Sequence, residues 1–129
     1  MTILRFMLAG VLLFAAVAVL AACSGGGAAA SVTSPPGASA SIDAKDVKFS
    51  SAQLTVPAGK PFQLFFRNLE GIPHNVAIYR NSSASEKIFV GATITNAAVT
   101  YDVPAIAAGS YYFRCDVHPQ MARTLVAGG

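Results

Sequence analysis

Gly109-Ser110-Tyr111-Tyr112-Phe113-Arg114-Cys115-Asp116-Val117-His118-Pro119-Gln120-Met121 is the stretch on which the chain is best read. Its first half alternates: Tyr111, Phe113 and Cys115 fall on one face and Tyr112 and Arg114 on the other, the period of a half-buried strand. Its second half sets a thiol, an imidazole and a thioether at i, i+3 and i+6. A strand ending at Cys115 delivers the sulfur to the rim of a sheet. Pro119 has no N–H and favours a turn, so the chain can bend back and one loop can offer three donors.

A second imidazole is available upstream. His74 lies in Ile72-Pro73-His74-Asn75-Val76, and the chain has two histidines, one in each of these segments. Two imidazoles, a thiolate and a weak axial thioether form the donor set of electron-transfer copper. Thiolate and thioether suit Cu(I), and imidazole suits Cu(II). Each residue alone has an ordinary reading: Cys115 a small buried hydrophobe, Met121 core filler, either histidine a loop residue. The joint spacing favours a metal site.

Outward from this stretch, short apolar alternations recur between turn signals. Strands are predicted over residues 42–49, 53–56, 61–68, 74–79, 87–90, 99–103, 110–115 and 124–126. Phe62, Leu64 and Phe66 fall on one face, as do Val99, Tyr101 and Val103. Pro57-Ala58-Gly59 and Asn81-Ser82-Ser83-Ala84-Ser85 read as turn and loop. No amphipathic helix and no internal repeat stands out. The expectation is an all-β sandwich of about eight short strands over residues 41–129.

The N-terminal part reads differently. Arg5 precedes an apolar run over residues 6–22 that ends at Cys23. This is the pattern of a secretory signal. Leu20-Ala21-Ala22-Cys23 resembles a bacterial lipobox, which implies cleavage before Cys23 and acylation of its thiol. Residues 23–40, rich in Gly, Ala, Ser and Pro, have little to bury and are expected to be a flexible tether. The localisation that follows is extracytoplasmic, lipid-anchored to a bacterial membrane, in the periplasm or at the cell surface. Cys23 and Cys115 thus have separate occupations, and no disulfide is expected.

Bulk composition sets limits. Of 129 residues, 12% are charged and the net charge is +3. No Lys/Arg cluster exists, so nucleic acid is not expected as a partner.

The stretch from Gly109 to Met121 resembles the C-terminal signature of cupredoxins, with the Cys, His and Met spacing of the amicyanin type. Leu54-Thr55-Val56-Pro57-Ala58-Gly59 and the segment 68–78, with Pro73-His74-Asn75, are similar to the family's earlier strands and first-ligand loop. The resemblance covers residues 42–127. It implies a Greek-key β-sandwich holding one type 1 copper ion on His74, Cys115, His118 and Met121. It also implies that Asn75 steadies the Cys loop by a hydrogen bond, and that His118 is the ligand near the surface. Ala122-Arg123 depart from the Gly often found soon after the axial Met.

The function so implied is a monomeric, membrane-tethered carrier of single electrons, its partner a redox protein such as a cytochrome or a membrane oxidase. The alternative is an extracytoplasmic copper chaperone. Catalysis within the chain is not expected: no histidine remains for a second copper, and the loop has one Cys where a dinuclear centre needs two.

Overall fold

The computed structural model describes residues 34–128. The predicted signal segment, Cys23 and the tether up to residue 33 lie outside them. Among the described residues there is no helix. The strands are β1 (Ala40–Lys45), β2 (Lys48–Phe49), β3 (Gln53–Val56), β4 (Phe62–Asn68), β5 (Ala77–Tyr79), β6 (Lys87–Val90), β7 (Ala97–Val103), β8 (Gly109–Arg114) and β9 (Ala122–Ala127).

They form two sheets, ordered β2-β1-β4-β7 and β3-β9-β8-β5-β6. β1 runs parallel to β4 and β3 parallel to β9; the other pairings are antiparallel. The apolar faces meet between the sheets. Phe62, Leu64 and Phe66 of β4 and Tyr101 and Val103 of β7 are buried on one side. Tyr111 and Phe113 of β8 and Leu125 of β9 are buried on the other. Phe49 joins the two layers, its ring 5.1 Å from Phe113 and 6.5 Å from Phe66. Truncating a buried aromatic such as Phe113 costs about 3–5 kcal/mol, since the cavity adds to the lost transfer term.

Two departures from the predicted strands bear on the site. The segment 42–49 is a hairpin, not one strand: Asp46 and Val47 both take φ of 53° and turn β1 into β2. Two successive left-handed residues make a tight hairpin turn that normally selects Asn-Gly. A β-branched residue there is strained by about 1–2 kcal/mol. The alternation of apolar residues hid this break, because no glycine marks it.

The predicted strand from His74 also starts late. β5 begins at Ala77, and His74 makes one isolated bridge with Ile94, through His74 N–H to Ile94 O (3.0 Å) and Ile94 N–H to His74 O (2.9 Å). At the other end, β1 begins at Ala40, and Ser39 N–H already donates to Gln63 O at 2.9 Å.

Candidate metal centre

β8 ends at Arg114, and Cys115 follows with its side chain fully buried between the sheets. The loop then reverses. Met121 N–H donates to His118 O at 2.8 Å, a four-residue turn with Pro119 at its second position, where a fixed φ suits it. Cys115 N–H donates to Met121 O at 3.0 Å and closes the loop at its base. β9 starts at once with Ala122. Arg123 folds back on its own backbone, its Nη1 donating to Ala122 O at 2.7 Å.

Three donor atoms converge where this loop meets His74. Cys115 Sγ lies 3.6 Å from His74 Nδ1 and 3.9 Å from His118 Nδ1, and the two Nδ1 atoms are 3.2 Å apart. An ion about 2.1 Å from each nitrogen and about 2.3 Å from the sulfur holds trigonal ligands roughly 3.6–3.8 Å apart. The two sulfur edges of the observed triangle match this spacing, and the 3.2 Å nitrogen–nitrogen edge is somewhat shorter. His74 and Cys115 are fully buried, His118 is half-buried, and Met121 is 2% exposed within the same core cluster. The donor set is that of a type 1 copper centre.

Buried imidazole needs its second nitrogen satisfied. His74 Nε2 lies 2.6 Å from Glu70 Oε1. An ionised carboxylate only accepts, so Nε2 carries the proton and Nδ1 turns a lone pair toward Cys115 and His118. Glu70 remains ionised readily: the Val47 N–H first, and His74 in addition, hold its carboxyl below the usual range against partial desolvation. Sequence reasoning did not single out Glu70. Its only signal was an acid four residues before His74 in a short loop.

Asn75 braces the other side. It is 3% exposed, and its Oδ1 accepts from Asp116 N–H at 2.8 Å while its Nδ2 donates to Gly91 O at 3.1 Å. One amide thus ties the Cys loop to the segment after β6. Asp116 is further held by Tyr79 Oη–H (2.6 Å) and Arg114 Nε–H (2.9 Å), with the Arg114 guanidinium 4.9 Å over the Tyr79 ring. Burial, then the bond to Asp116, pushes the Tyr79 phenol above its usual range.

Comparison with known proteins agrees with this architecture. A family model, the cupredoxin-like domain, matches residues 12–127. The chain belongs to the cupredoxin-like family. Among solved structures, this cupredoxin is similar to auracyanin from Roseiflexus castenholzii, with 19% identity, 72% of this chain and 100% of that chain covered, and a TM-score of 0.62. Auracyanin A from Chloroflexus aurantiacus, a "blue" copper protein, gives 22% identity, 68% and 96% coverage and a TM-score of 0.58. Amicyanin from Paracoccus versutus gives 25% identity, 74% and 85% coverage and a TM-score of 0.56. No curated protein sequence matches.

Proposed function

We propose that this cupredoxin is a one-electron carrier with a single type 1 copper ion held by His74, Cys115, His118 and Met121. The observation that carries the reading is the triangle of His74 Nδ1, Cys115 Sγ and His118 Nδ1, with every pair inside 4.8 Å. Copper bound there supplies one-electron exchange between Cu(I) and Cu(II). The chain's own work is to hold the donors still. Glu70 fixes the His74 ring, Asn75 and the Cys115–Met121 closure fix the loop, and the sandwich keeps water from Cys115. A braced, water-free donor set changes little when the ion changes charge, which favours fast electron exchange.

His118 is the least buried donor and sits beside exposed Val117 and Pro119. We assign it the route by which the electron enters or leaves, in brief docking with a redox protein such as a cytochrome or a membrane oxidase. Lipidation of Cys23, with residues beyond it as tether, would keep the carrier anchored to a bacterial membrane, in the periplasm or at the cell surface. In this reading the protein has no substrate of its own and works as a monomer.

The chaperone alternative asks for easy release of the ion. Full burial of His74 and Cys115 supports retention instead. The test is repeated cycling of copper-loaded protein between ascorbate and ferricyanide in the presence of a Cu(I) chelator. The carrier keeps its copper through many cycles; a chaperone loses it to the chelator in the first reduced phase.

A further inference from the structure

Three polar side chains are buried among the described residues: Asn68, His74 and Asn75. His74 is a donor and Asn75 ties down the Cys loop; Asn68 bonds to neither of them through its side chain. It ends β4, in the stripe of Phe62, Leu64 and Phe66 that faces the core. A strand period of two calls for a fourth hydrophobe at that position. An amide buried there costs free energy unless hydrogen bonds offset it. Local departures from a consistent pattern gather at functional sites.

The bonds of this amide all go to the frame around His74. Asn68 Nδ2 donates to Ile72 O and Ile94 O at 2.7 Å each, and Oδ1 accepts from Glu70 N–H at 3.0 Å. Ile72 lies two residues before His74. Ile94 is bridged to His74 through both backbone groups. Ile94 O therefore takes two donors, Asn68 Nδ2 and His74 N–H, as the two lone pairs of a carbonyl allow. One side chain gathers the loop before the ligand and the segment on which the ligand's backbone lies. Asn96 N–H donating to Glu70 O at 3.0 Å closes the same frame.

We propose that Asn68 is a positioning residue for the metal centre: it draws Ile72 O and Ile94 O onto one amide nitrogen and so fixes where the His74 backbone stands before any ion arrives. It makes no hydrogen bond to any of the four donor side chains and acts through the main chain alone. A hydrophobe in its place would complete the stripe and release the loop. The effect on the ion rests on the copper reading above; the effect on the loop does not.

The test compares Asn68→Ala with Val103→Ala, which opens the core at the other end of the β4–β7 pairing, where Val103 lies opposite Phe62. In the metal-free protein, hydrogen exchange followed by NMR is expected to show the His74 and Ile94 amides of Asn68→Ala exchanging about tenfold faster relative to the β8–β9 ladder, a local opening. Val103→Ala leaves that ratio unchanged. In the copper-loaded protein, affinity is read by competition with a Cu(I) chelator. It falls about tenfold in Asn68→Ala, the low end for outer partners of a metal site, and stays within about twofold in Val103→Ala. Asn68→Ser, which keeps one donor, falls between, and it takes the place of Asn68→Ala if that variant does not fold.

The same exchange ratio in the Asn68 variant and in Val103→Ala overturns the proposal, whether or not copper binds. A Val103→Ala protein that loses copper as readily as the Asn68 variant also overturns it, because the effect would then be one of stability alone. A parent protein that forms no type 1 centre counts against the proposed function, while the exchange ratio still decides the role of Asn68.

Discussion

Asn75 holds the loop that carries Cys115 from outside the donor set. Its side chain is nearly fully buried and makes two bonds, to Asp116 N–H and Gly91 O. A buried amide or carbonyl left without a partner costs about 1–3 kcal/mol. Asn75→Ala strands both, so it is expected to lower stability by about 2–4 kcal/mol in urea denaturation. It should also speed copper loss to a chelator, because the residue after Cys115 is no longer held. Among single residues the donors were the easiest to read: a thiol, two imidazoles and a thioether have few common purposes at that spacing. Glu70 was not legible. Its importance comes from Val47 and His74, which approach it from different parts of the chain.

At the scale of elements, the alternation in β7 and β8 told truly which side chains face the core, because the period is two; in β4 Phe62, Leu64 and Phe66 face it likewise, while Phe65 on the opposite face is buried as well. The same alternation misled at residues 42–49, where an apolar Val47 occupies a turn that a glycine would have announced. The segment after β6 was silent as well. Gly91 is buried there, and a Cβ on it would come within 2.5–2.8 Å of the Tyr101 ring. Tyr101 anchors the same segment by donating to Ala92 O at 2.6 Å. Gly91→Ala must therefore push the ring or lift the carbonyl that Asn75 holds. Overpacking of this kind costs about 1–3 kcal/mol. A Gly91→Ala/Tyr101→Leu double variant should be less unstable than the two single losses added together. Simple additivity in thermal melts would show that ring and glycine do not compete for space.

For the whole molecule, the two sheets enclose phenols as well as hydrocarbons. Burial raises the Tyr101 phenol far above its usual range, and burial with the Asp116 bond raises Tyr79. Unfolded, both ionise near the ordinary phenol value of about 10. A folded-state pKa above the unfolded one means stability is full below the unfolded value and declines as pH rises past it. The domain should keep its denaturation midpoint from pH 7 to 9 as far as these groups are concerned, then lose stability above about pH 10. Tyrosinate absorbance should show these two phenols ionising only as the fold opens. Reversible titration of Tyr79 or Tyr101 near pH 10 in the still-folded domain, assigned by difference from Tyr79→Phe and Tyr101→Phe, would contradict their burial. The two-sheet class was legible from strand number and turn spacing. The order of the strands was not, since β1 against β4 and β3 against β9 are parallel pairs between segments distant in sequence.

In the function proposed above, His74, Cys115, His118 and Met121 hold one copper ion in a type 1 centre. The most direct measurement is the visible spectrum of the Cu(II)-loaded protein, with and without Cys115→Ser. An intense blue thiolate-to-copper band, one copper per chain, bleached by ascorbate and absent in Cys115→Ser, is expected if these four residues hold the ion. A colourless copper complex, or a blue band that survives Cys115→Ser, would contradict it.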